Sequence, residues 1–196
     1  MFSERLEKQI EFIKEIDKLK AIKRQTLLIN EDRQENDAEH SWHLAMLAFL
    51  LAEYSNEKID IMKTMKMVLI HDIVEIDAGD TYCYDSEGYK TKADRETRAA
   101  QRIFGLLPED QGTELRALWE EFEAMNTPES KFACVLDRFQ PLLLNYTKGG
   151  VSWKNHNVKR SQVEGRNQCT KEGSEELYSY IMDMISKAAE SGMLAE

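Results

Sequence analysis

Apolar residues recur along this chain at helical rather than strand spacing. Ser3 precedes Leu6, Ile10, Ile13, Ile16, Leu19 and Ile22, which predicts an amphipathic first helix with a serine placed to cap it. Asn36-Asp37 can cap a second helix that carries His40, Leu44, Leu47 and Leu51. A third is predicted from Lys58 to Glu75, around the apolar run Met65-Lys66-Met67-Val68-Leu69-Ile70. The polar stretch from Asp77 to Thr91, with Gly79 and Gly88, reads as a loop that is long for a bundle connection. Helical spacing resumes over 93–104 and again over 109–124. Thr127-Pro128-Glu129 combines an N-cap, a proline at the first helical position and an acid in the first turn. The helix it opens carries Phe132, Val135, Leu136, Phe139, Leu142 and Tyr146, and Gly149-Gly150 closes it. A shorter helix is expected around Val158 to Gly165, and Ser174 caps a last one with Leu177, Tyr180, Ile181, Met184 and Ile185 on its inner face. No alternating strand pattern stands out. The expectation is an all-α, single-domain helical bundle over residues 1–196.

Composition narrows the class of partner. With 42% apolar and 32% charged residues in 196, the chain can bury a substantial core. A formal net charge of -10 supplies no bulk neutralisation for a phosphate backbone, so a nucleic-acid polymer is not the expected partner. Cys83, Cys134 and Cys169 form no C-x-x-C pair, which points to neither a thiolate zinc site nor a disulfide framework and suits a reduced, cytoplasmic setting. The start, Met1-Phe2-Ser3-Glu4-Arg5, has no apolar signal core, and no run reaches transmembrane length, so no membrane partner is expected. Trp42, Trp119 and Trp153 read as core or interface residues, and the basic group Lys154, His156, Lys159 and Arg160 as a solvated face.

The chemistry is concentrated in three places. His40-Ser41-Trp42-His43 begins the second helix, His71-Asp72 with Glu75 and then Asp80 ends the third, and Asp137 interrupts an otherwise apolar helix. Imidazoles and carboxylates without thiolates are the donor set of a borderline or hard divalent cation. Each piece also has a plain structural reading: a polar helix end for His71-Asp72, a salt bridge to Arg138 or an exposed position for Asp137. Taken together, two histidines and two carboxylates from separate helices can surround one ion and leave positions open for water. At spacings of three and four residues, Glu75 is expected on the same helical face as Asp72 and His71, where it could orient water or take its proton. His43, one turn from His40, competes for the first position.

This ordered set resembles the HD-domain phosphohydrolase superfamily, and more narrowly its 5'-deoxynucleotidase branch. The matching pieces are Leu19-Lys20-Ala21-Ile22-Lys23-Arg24, the stretch from Arg33 to Ser41, the stretch from His71 to Asp80, and Leu136-Asp137-Arg138; the likeness extends over residues 5–185. It implies that His40, His71, Asp72 and Asp137 bind one divalent transition metal ion (Mn, Co, Ni, Fe or Zn). It makes Glu75 the catalytic acid or base, Arg24 the residue that grips the phosphate, and Asp80 the acceptor near the sugar. His40 is favoured over His43 because the family's ligand follows an acidic residue, as in Glu39-His40-Ser41. The implied activity is a phosphomonoesterase on (deoxy)nucleoside 5'-monophosphates, acting as a homodimer. The alternatives are a phosphodiesterase on cyclic or guanosine polyphosphate nucleotides, and a metal-binding helical interaction module without turnover. One departure stands out: where that branch has a tryptophan after the arginine, crowding a 2'-hydroxyl, this chain has Gln25.

Overall fold

The computed structural model describes residues 2–195. Its helices are α1 (Glu4–Ile16), α2 (Asp37–Leu51), α3 (Ile61–Ile70), α4 (Glu75–Ala78), α5 (Ser86–Phe104), α6 (Glu109–Ala124), α7 (Pro128–Thr147), α8 (Val151–Asn155), α9 (Arg160–Asn167), α10 (Thr170–Gly173) and α11 (Glu175–Glu190). The caps do what their sequences allow. Asn36 and Glu39 form a reciprocal capping box at the start of α2, Thr127 and Ser130 form another at α7, and Ser3 and Ser174 each accept a backbone N–H. Such contacts satisfy N–H groups that the helix itself leaves without a partner.

Several boundaries differ from the sequence reading. The first helix stops at Ile16, and a 3-10 turn over Asp17–Ala21 leads into a two-stranded antiparallel hairpin, β1 (Lys23–Leu27) and β2 (Gln34–Asn36). The strands are short, irregular in register and rich in charged residues, so they carry none of the apolar alternation that announces a strand. The third helix is interrupted. After Ile70 the chain tightens into bonds between residues three apart, Ile73 to Ile70 and Glu75 to Asp72, before α4. No glycine or proline marks the break. The stretch read as a long loop is mostly helical, because Asp85 caps α5 and α5 begins at Ser86.

Two apolar clusters hold the elements. One joins α2, α3, α7 and α11 through Leu44, Met67, Phe132, Leu136, Ile181 and Ile185. The other joins α1, the α3–α4 turn, α5 and α6 through Phe12, Ile73, Ile103, Phe104 and Trp119. Trp119 and Trp153 are buried, whereas Trp42 is 63% exposed and belongs to neither cluster. Tyr180, expected on the inner face of the last helix, is 54% exposed, because it lies at the edge of the buried stripe of Leu177, Ile181, Met184 and Ile185. Where α2, the α3–α4 turn and α7 meet, the apolar packing gives way to buried polar side chains: Glu35, Asp37, His40, His71, Asp72, Glu75 and Gln140. Burying this many charges is costly unless they are paired or bound. No helix among the described residues is long and apolar enough to cross a membrane.

Candidate metal centre and its cavity

Four of the predicted residues converge. His40, from the first turn of α2, is fully buried. Its Nε2 lies 3.1 Å from Oδ1 of Asp137 on α7 and 3.8 Å from Oδ2 of Asp72. Nε2 of His71, at the end of α3, lies 3.0 Å from Oδ1 of Asp72 and 3.6 Å from Oδ1 of Asp137. His40, His71 and Asp72 each offer one ligand atom within 4.8 Å of the others. Pro141, one turn beyond Asp137, lacks the N–H that would bond the Asp137 carbonyl, so α7 is locally freed beside the cluster.

Surrounding contacts fix which nitrogen of each imidazole faces inward. Nδ1 of His40 is 2.9 Å from Oε1 of Gln140, and Nδ1 of His71 is 2.9 Å from the carbonyl of Val68. Both partners only accept, so each Nδ1 carries a proton and Nε2 is the nitrogen of each ring that faces the carboxylates. Nε2 of His71 is buried and, despite its nearness to Asp72, makes no hydrogen bond. Two inward imidazole nitrogens and two carboxylates, one nitrogen orphaned, suit a divalent ion with N and O ligands. Gln140 also donates from Nε2 to Oε1 of Glu35 at 2.6 Å and to Nδ1 of His43 at 3.1 Å. His43 is thereby tied to Gln140, and burial lowers its pKa.

Arg24 on β1 and three further acids form the second half of the site. Its Nη1 donates to Oδ1 of Asp37 at 3.0 Å and to Oδ2 of Asp72 at 2.8 Å. Asp37, Asp72 and Glu75 form a second close group of carboxylates. The i to i+3 turn does not keep Glu75 on a regular helical face, yet it delivers the side chain beside Asp72 and Asp37. Burial, reinforced by Asp72, Asp37 and Asp80, raises the Glu75 carboxyl well above the usual carboxylate range. Burial and then Asp72 push Asp37 up to about 6. Asp137 is held well below the usual range, because the imidazoles of His40 and His71 beside it outweigh burial. Burial alone would lower His71, but Asp72 and Asp137 raise it to about 9. Protonated carboxyl and ionised carboxylate thus stand side by side, the pattern that separates acid from base roles.

The cluster opens into a cavity of about 240 Å³. Arg24, Asp72, Glu75, Asp80 and Asp137 are among its lining residues, as is Gln25, next to Arg24 in the chain. Tyr82, Tyr84, Trp153 and Leu142 line other parts of it. Lys154, His156, Lys159 and Arg160 are exposed and outside its lining. Sequence reasoning placed neither Glu35 nor Gln140 at the site, and read Asp37 only with Asn36 as a helix cap. Gln140 had a signal: it lies three residues after Asp137 and so shares its face of α7.

The family model for the HD domain matches residues 16–178. The chain is 30% identical over 135 residues to 5'-deoxynucleotidase HDDC2 of Homo sapiens, covering 68% of this chain and 65% of that protein. It is 31% identical over 144 residues to 5'-deoxynucleotidase HDDC2 of Dictyostelium discoideum, covering 70% of this chain and 75% of that protein. The match thus spans just under two thirds of the human protein's length. The solved structure of a predicted metal-dependent phosphohydrolase from Magnetospirillum magnetotacticum superposes with a TM-score of 0.94 at 50% identity, covering 98% of this chain and 96% of that one.

Proposed function

This chain belongs to the HD-domain family, and from that premise we propose that it is a divalent-metal-dependent phosphomonoesterase acting on nucleoside 5'-monophosphates. The observation that carries the reading is the convergence of His40, His71, Asp72 and Asp137 with both inward nitrogens fixed by outside contacts. These four side chains would hold one ion, with Mn, Co, Ni, Fe and Zn all compatible with a His₂Asp₂ set. Bound there, such an ion supplies Lewis acidity toward a phosphate oxygen and lowers the pKa of water.

The chain's own residues supply the rest. Arg24 lines the cavity with its guanidinium anchored by Asp37 and Asp72, a placement suited to gripping phosphate oxygens. Glu75, held protonated by burial and its acidic neighbours, gives a proton to the departing sugar oxygen and then accepts one from water. Asp80, which also lines the cavity, accepts from a sugar hydroxyl. Gln25 lines the cavity and has room and hydrogen-bonding capacity beside a 2'-hydroxyl. The reading extends to a single domain in the cytoplasm, without nucleic-acid polymer or membrane partners, and to a homodimer. Exposed Trp42, Met46, Phe49 and Leu50 on α2 support the last, since a patch of that kind marks an interaction face.

Phosphate release from paired ribo- and deoxynucleoside 5'-monophosphates, beside bis-nitrophenyl phosphate as diester, tests the proposal. Monoesters are expected to turn over with less than about tenfold preference between the two sugars, a difference of about 1.4 kcal/mol. Glu75→Ala is expected to lower turnover by about 10²–10⁴-fold with metal still bound. Turnover of the diester alone would overturn the monoesterase reading, and strong deoxy selectivity would overturn the role of Gln25.

A further inference from the structure

Cys134 and Cys169 are 35 residues apart, yet their sulfurs lie 3.7 Å from each other. Cys134 is buried on α7 and lines the cavity, while Cys169, just before α10, is only partly buried. The packing that brings them together is tight. A Cβ on Gly173 would meet the Lys131 carbonyl at 2.6 Å and a Val135 methyl at 2.7 Å, so α10 rests directly on the turn of α7 that carries Cys134. Both sulfurs lie within the field of Arg138, whose Nε is buried without a hydrogen-bond partner. Arg166 adds a second positive charge near Cys169.

We propose that Cys134 and Cys169 are a peroxide-sensitive dithiol that closes to an intramolecular disulfide. A sulfur–sulfur bond is about 2.05 Å long, so closure brings the two sulfurs together from the present 3.7 Å. The partly buried Cys169 is the attacking thiolate. A hydrogen bond from the Cys134 thiol, helped by Arg138 and Arg166, lowers its pKa to about 6, whereas that same bond and burial push Cys134 up. The Cys169 sulfur attacks the outer oxygen of a hydroperoxide and breaks the O–O bond. Sulfur is oxidised to the sulfenic acid, and the hydroperoxide leaves as an alcohol or water after taking a proton. The Cys134 sulfur then displaces the sulfenic hydroxide, which departs as water with the Cys134 proton, and the S–S bond forms. Cys83 takes no part, because burial raises its thiol and, among the described residues, it has no hydrogen bond to another sulfur.

The test is the intact mass of the full chain after brief treatment with stoichiometric hydrogen peroxide, followed by a non-reducing digest. A loss of about 2 Da and a peptide joining Cys134 to Cys169 are expected, both reversed by a dithiol reductant. In Cys134→Ser, a sulfenic-acid trap such as dimedone is expected on Cys169. No loss of mass, or a linkage through Cys83, would overturn the proposal. So would unchanged disulfide formation in Cys169→Ser.

Discussion

A histidine's identity says little about which nitrogen it presents, and that is decided by what stands behind it. His40, His71, Asp72 and Asp137 were legible as a set because few residue types make a divalent-ion site and these occur in a recognisable order. Gln140 was not, since a glutamine in an apolar helix is an ordinary residue until His40 is known to lie behind it at 2.9 Å. Glu35 and Asp37 were hidden for a similar reason: before a helix, acids are expected anyway as partners of its N-terminus. The Gln140 contact has a measurable value. Gln140→Ala releases Nδ1 of His40 and removes the donor to Oε1 of Glu35, whose Oε2 keeps its bond from Thr26. Removing a contact of this kind typically weakens metal binding by about 10–100-fold. Competition with a chelator should show that loss while circular dichroism stays unchanged; undiminished affinity would mean that Gln140 does not orient the ligand.

At the scale of elements, legibility followed periodicity and caps. The starts of α2, α7 and α11 were readable because Asn36, Thr127 and Ser174 can accept the orphan N–H groups. The hairpin that carries Arg24 was not, because Lys23–Leu27 is polar, short and paired with only three residues. Nor was the break after Ile70, which is made of tightened hydrogen bonds rather than a breaker residue. The α7–α10 contact is a third feature set by tertiary structure alone, resting on the missing side chain of Gly173. In Gly173→Ala the new methyl group meets backbone at 2.6 Å, which the neighbouring helix cannot relieve by turning a side chain. Overpacking of this sort costs about 1–3 kcal/mol. Urea unfolding should show a lower midpoint of that order, and an unchanged midpoint would mean that α10 is free to move away.

For the whole molecule, the acidic balance read from composition takes on a location. A net charge of -10 includes the acids that surround Arg24, His40 and His71, so the fold keeps a buried anionic centre that benefits from positive charge. The family and the helical class could be read from the chain; the internal arrangement of charge could not, because it arises where three distant segments meet. Its consequence is a definite pH dependence. His71 is raised to about 9 in the folded protein, against about 6.5 when unfolded. Its contribution to stability is therefore complete below about 6.5 and is lost as pH rises through 9. Asp37, raised to about 6, binds its proton more tightly when folded, so it too disfavours the fold as pH rises from about 4 to 6. The melting temperature of chelator-treated protein should fall between pH 6.5 and 9, and a flat or rising profile would contradict the charge balance inferred for the site.

In the proposed function one set of side chains serves both metal binding and hydrolysis. The decisive measurement is phosphate release from a deoxynucleoside 5'-monophosphate as Mn, Co, Ni, Fe or Zn is titrated into the protein and into Asp72→Ala. Turnover is expected to rise and saturate at one equivalent of ion for the protein. An Asp72→Ala protein that retains its helical circular dichroism is expected to show no turnover at any concentration. Full turnover by Asp72→Ala, or activity independent of added ion in chelator-treated protein, would contradict the proposed function.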